Sequence, residues 1–147
     1  EASGRVAGVT ADFGQRWEIL TDMAIKLVPG GHPHHAMAEA AAEASRLANV
    51  PAEEVSAIVC SRPEVRTLTG PRHPKDLIGM AHSPAYFAAA AVADRRFGWE
   101  HATQEKLMDP VIRRLLDVVE VGGDVDWLPG SAAGVSLVIR DITLSGA

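Results

Sequence analysis

The sequence predicts an α+β domain, an antiparallel or mixed sheet with helices packed on one face, and three observations carry that prediction. Apolar residues at three- and four-residue helical spacing alternate with short β-branched runs, without the regular β-α-β rhythm of a parallel fold. Ser83-Pro84 and Asp109-Pro110 each place a capping residue directly before proline, the pattern of a helix start. The chain closes on Val135 to Arg140 and Ile142 to Leu144, two strand-like runs that read as a hairpin around Arg140-Asp141.

Residues 1–16 read as a weakly patterned lead-in, and 17–147 as the domain itself. Trp17 to Val28 is rich in strand formers and is stopped by Pro29-Gly30-Gly31, which predicts a strand. From Pro33 onward Met37, Ala40, Ala41, Ala44, Leu47 and Ala48 recur at helical spacing, with Glu39, Glu43 and Arg46 on the other face. That helix is expected to close near Asn49 and Pro51. Val55 to Cys60 returns to strand character. Ser61 to Pro74 holds too many breakers for a long element and, with Arg62, Arg66, Arg72, His73 and Lys75 in or beside it, reads as a basic solvated loop. Lys75 to Ala81 predicts a short helix. Pro84 to about Arg95 predicts a buried one, because its run of alanines leaves almost no polar face. Thr103 to Met108 predicts a helical turn, and Asp109-Pro110 a helix with Val111, Ile112, Leu115 and Leu116 on its apolar side. Val118 to Val121 predicts a strand, and Gly122-Gly123-Asp124 and Pro129-Gly130 predict turns.

A length of 147 residues suits one domain with its own core. No apolar run approaches the length of a membrane span, so no membrane association is expected. With 14 basic against 19 acidic residues, a net charge of −5 and no long basic run, nucleic acid is not an expected partner. The single cysteine, Cys60, excludes an internal disulfide and fits a reducing, cytoplasmic setting. The chain begins at Glu1 with nothing resembling a signal sequence and is expected to be part of a longer protein.

Most of the plausible chemistry is crowded into Lys26 to His35. A lysine, a Pro-Gly-Gly break and the imidazoles of His32, His34 and His35 stand at a predicted helix N-terminus, where the dipole favours anions. That pattern suits a pocket for a carboxylate or phosphate, and equally an ordinary tight connection with surface histidines. Three histidines within four residues, with no Cys, Asp or Glu beside them, do not predict a metal site. Nucleophile-elbow, phosphate-loop and dinucleotide fingerprints are absent. Acid-base chemistry or anion binding by Lys26, the histidines and Tyr86 remains; Tyr86 reads equally as a core tyrosine with a satisfied hydroxyl.

Three segments together resemble a known family. Lys26-Leu27-Val28-Pro29 with His35 nine residues after the lysine matches a K-x-x-P-x-x-x-x-H pattern. His73-Pro74 leading into Ala81-His82-Ser83-Pro84-Ala85-Tyr86 matches an H-P and H-S-x-x-Y segment, and Asp109-Pro110-Val111-Ile112-Arg113 matches D-P-x-[VI]-R. In order and spacing these are similar to the 2-methylcitrate dehydratase and cis-aconitate decarboxylase family (MmgE/PrpD), over about Trp17 to Arg140.

The resemblance implies that this is the smaller, C-terminal α+β domain of a two-domain lyase. The expected reaction is dehydration of a small di- or tricarboxylate such as 2-methylcitrate, without metal or organic cofactor. The active site would be shared with an N-terminal helical domain, which leaves the isolated chain incomplete and inactive; a homo-oligomer is also expected. It carries Lys26, Tyr86 and His35 over as catalytic residues and places Gly31, His32 and Ser83 at the substrate. One departure stands out: the position five after the lysine, histidine or cysteine in the family, is Gly31, with His32 displaced by one. This puts decarboxylation in doubt and leaves two other readings, an epimerase or isomerase of the same family and a non-catalytic small-acid-binding or interaction domain.

Overall fold

The computed structural model describes residues 14–15, 17–21, 23, 25–61, 70–121, 134–139 and 142–146. Its centre is a four-stranded sheet of order β2-β1-β3-β4, with β1 at Val55–Ser61, β2 at Val119–Val121, β3 at Gly134–Ile139 and β4 at Ile142–Gly146. β1 pairs parallel with β2, while β1–β3 and β3–β4 are antiparallel, so the sheet is mixed. The parallel pair needs a crossover, and every helix between residues 77 and 117 lies in it. The closing hairpin forms as predicted, Ile139 paired with Ile142.

Among the described residues the α-helices are α1 (Glu18–Thr21), α2 (His35–Ala48), α3 (Leu77–Ala81), α4 (Pro84–Asp94), α5 (Gln104–Leu107) and α6 (Pro110–Asp117). A 3₁₀ turn, His32–His34, leads into α2. Helix α2 covers β3 and β4, α4 covers β1 and β2, and α4 packs between α2 and α6. The alanine run lets this happen: Ala85 and Ala88 to Ala91 are all buried, and their small side chains admit close approach to α2, which presents Ala38, Ala41 and Ala44. Ile58 and Cys60 of β1 and Leu137 of β3 complete the core. Full burial in apolar surroundings pushes the Cys60 thiol up to about 12, so it packs as a small hydrophobe.

The caps follow the sequence closely. Ser83 Oγ accepts from Tyr86 N–H at 3.1 Å, and Asp76 Oδ1 accepts from Gly79 N–H at 2.7 Å. Asn49 and Arg95 close α2 and α4 in the left-handed region, with φ of 49° and 56°. Asp109 Oδ1 accepts from Val111 and Ile112 N–H at 2.8 and 3.2 Å. Replacing Asp109 by alanine removes both bonds and is expected to cost about 1–2 kcal/mol in urea unfolding, with the m-value unchanged.

Two expectations change. Trp17 to Val28 is not a strand: Glu18–Thr21 is a helical turn, and 25–28 run outside the sheet. Among the described residues none of its strand formers pairs with the sheet, and β propensity without a partner decides little. The loop before α3 is also more than solvated surface. Arg72 Nη1 donates to the carbonyls of Leu116 and Val119 at 2.9 and 2.6 Å, satisfying backbone groups where α6 passes into β2. His73 Nε2 lies 2.9 Å from Asp117. Residues 62–69, which include Arg62 and Arg66, lie outside the described residues, as do the predicted turns at 122–124 and 129–130 and the lead-in up to residue 13.

Candidate functional site

The turn before α2 is built on Gly30, whose φ of +86° suits glycine, and where a Cβ would overlap the Phe87 ring and lie 3.3 Å from Ala81 Cα. Gly31 N–H donates to the Ala81 carbonyl at 2.9 Å, pinning the turn to the end of α3. A Cβ at Gly31 would stand 3.2 Å from both the Ala81 oxygen and His34 Cδ2, tighter than ordinary contact. The turn thus favours glycine here, and the imidazole one position later, His32, is the one beside the cleft.

The cleft has a volume of about 360 Å³ and lies between residues 25–28 and the first turns of α2. Its walls include Ile25, Leu27 and Val28 on one side, His32, His35 and Glu39 on the other, and Phe97. Lys26 is exposed beside it, its ammonium donating to the Gly30 carbonyl at 2.9 Å. His32 and His35 stack with centroids 5.1 Å apart.

His35 is the most informative group. Burial lowers its pKa below the ordinary value, and the neighbouring His32 and Lys26 push in the same direction; hydrogen bonding to the Pro29 and Gly30 carbonyls opposes them. The ring is therefore neutral at pH 7, and its buried Nε2 has no hydrogen-bond partner among the described residues. A neutral imidazole with an unengaged ring nitrogen beside a cationic group can take a proton from a bound ligand.

Behind the cleft runs a column of stacked rings. His35 lies 6.2 Å from Phe87, Phe87 4.5 Å from Phe97, and Phe97 4.9 Å from His101. His34 is buried against Phe87, with centroids 5.0 Å apart. At the far end, His101 Nδ1 accepts from Gly98 N–H at 3.0 Å, so the proton is assigned to Nε2, which faces Asp94 Oδ2 at 3.0 Å. Lys106 donates to the same carboxylate oxygen. Neither Phe97 nor His101 stood out in the sequence, because stacking across helices leaves no periodic signal.

His32 and His35 thus share one wall of the cleft, with Lys26 held beside them on the Gly30 carbonyl. Tyr86 and Ser83 do not join them: both are fully buried, Tyr86 Oη donates to the His101 carbonyl at 2.9 Å, and Ser83 caps α4. Desolvation raises the tyrosine pKa strongly, with Asp109 and Asp94 adding to it, so the phenol stays protonated. Among the described residues no three His, Cys, Asp or Glu side chains converge as metal ligands. No helix among them is long and apolar enough to cross a membrane.

No curated protein matches the chain. The family model for the MmgE/PrpD C-terminal domain matches residues 29–146, from the turn before α2 through β4, and the chain belongs to that family.

Proposed function

We propose that the chain forms one wall of a lyase site that dehydrates a small di- or tricarboxylate, 2-methylcitrate being the first candidate. One observation carries this reading: His35, neutral and with an unpartnered buried Nε2, lies at a cleft beside Lys26. Lys26 would hold a substrate carboxylate and stabilise the charge that develops when the adjacent C–H bond breaks. His35 Nε2 takes that proton. The C–H electron pair becomes the C=C bond as the β C–O bond breaks, and the departing hydroxide takes up a proton to leave as water. His32, stacked on His35, is the titratable group in position to donate it, since the Tyr86 hydroxyl is occupied in the core.

A helical domain completing the site is part of the same proposal, and surface chemistry supports it. Trp17, Ile19, Leu20, Met23, Ile25 and Leu27 are between 61% and 80% exposed, an apolar stretch that a covering domain would bury. A second reading, a small-acid-binding domain without catalysis, is favoured by the core position of Tyr86. Turnover separates them, measured with the chain alone and joined to its helical partner, on 2-methylcitrate and a panel of hydroxy di- and tricarboxylates. Lys26→Ala is expected to lower kcat/KM by at least about tenfold, the loss of one charge-assisted contact. A value within about threefold of the parent, under ~1 kcal/mol, removes Lys26 from the mechanism.

A further inference from the structure

Among the described lining residues of the cleft, Phe97 alone comes from outside residues 25–39. It stands three residues past the end of α4 and is half-buried, so burial alone does not fix its ring. Two rings enclose it instead: Phe87 at 4.5 Å and 25°, and His101 at 4.9 Å and 17°. Phe87 is set in the core by α4. His101 belongs only to a short 3₁₀ turn, Trp99–His101, yet it is fully buried and both its ring nitrogens are engaged, by the Gly98 N–H and by Asp94 Oδ2. The imidazole cannot turn without breaking those bonds. Phenylalanine would stack on Phe97 without the cost of burying two polar atoms; what the paired imidazole adds is a fixed orientation. Asp94, the last residue of α4, is fixed in turn by Lys106, whose ammonium also lies 3.7 Å from Asp109, the cap of α6. These contacts run from the start of α6 to the cleft, and Phe97 is their one member in its lining.

We infer that Asp94 and His101 are positioning residues for the cleft. Asp94 locks the His101 imidazole, and the locked ring holds Phe97 in place at the cleft wall. Neither residue touches the ligand; both act through Phe97. This rests on the carboxylate site proposed above and adds residues, outside its lining, that shape it.

The test is a titration of the chain with 2-methylcitrate and 2-methylsuccinate, followed by amide NMR shifts of His35 and Ala36. Asp94→Ala removes the acceptor for His101 and Lys106, whereas Asp94→Asn keeps an acceptor oxygen without the charge. Asp94→Ala is expected to weaken both acids about threefold to tenfold, the value of one aromatic contact, and Asp94→Asn to bind within about twofold of the parent. Loss of the negative charge by itself favours an anionic ligand, so weakening in Asp94→Ala reads lost geometry. In a Phe97→Leu background Asp94→Ala should have no further effect on affinity, because the ring it positions is gone. The Phe97 ring protons, shielded by rings on both faces, should shift in Asp94→Ala and keep their parent values in Asp94→Asn. Asp94→Ala binding as tightly as the parent, or Asp94→Asn binding as weakly as Asp94→Ala, overturns the positioning role while the carboxylate site stands. Phe97→Leu without effect on affinity overturns it as well, whether or not Asp94→Ala folds. If neither acid shifts the amides of the parent chain, the carboxylate site is wrong and the positioning role falls with it.

Discussion

Phe87→Ala is expected to lower folding stability by about 3–5 kcal/mol, the range for emptying a fully enclosed aromatic site. The ring is fully buried and touches three others, with Phe97, His34 and His35 at 4.5, 5.0 and 6.2 Å. It also backs the left-handed Gly30, so the cavity would open directly under the turn that carries Lys26 to His35. Phe87→Leu retains most of the volume and is expected to cost clearly less. Urea unfolding of the two variants measures the difference. A cost below about 1 kcal/mol for the alanine variant would mean that the ring column is not a packed part of the core.

His35→Gln is expected to reduce kcat by about 10²–10⁴, the usual contribution of a positioned proton acceptor, with stability close to that of the parent. Glutamine keeps a polar side chain of comparable reach on the first turn of α2 but cannot accept a proton at pH 7. The same substitution at His34 separates chemistry from packing. His34 lies buried against Phe87, so His34→Gln should lower stability more than His35→Gln does. Steady-state kinetics on the turned-over acid, with unfolding curves for both variants, read the contrast. A His35→Gln enzyme within about threefold of the parent kcat would assign the proton transfer to another group.

Much of the fold was legible because its helices announce their own starts. Ser83-Pro84, Asp109-Pro110 and Thr103 each supply a side-chain acceptor for an N–H of the first turn, a local interaction that needs no knowledge of the rest of the chain. The hairpin was legible for the same reason. Trp17 to Val28 was not, because its strand-forming residues describe a surface suited to pairing, and among the described residues they run outside the sheet. The site divided along similar lines. Lys26, His32 and His35 lie within ten residues of one another, so a single turn brings them together. Tyr86 depended on which way one helix faces, and its partner, the His101 carbonyl, is 15 residues away on another element. The alanines around Tyr86 gave no face to read, since α4 is apolar on all sides. Glu39 read as part of a solvated helix face, and only the position of residues 25–28 turns that face into the wall of a cleft.

His35 stands neutral beside the cleft, its buried Nε2 without a hydrogen-bond partner among the described residues. An NMR titration of its imidazole tests it most directly, in the free chain and with 2-methylsuccinate present. Because burial, His32 and Lys26 all disfavour the imidazolium, the folded-state midpoint is expected below the ordinary value of 6.5. Folding then weakens as pH falls through 6.5, where the unfolded chain takes up the proton more readily. A bound carboxylate favours the charged ring and should move the midpoint upward. A midpoint at or above 6.5 in the free chain, unmoved by the acid, would contradict the account.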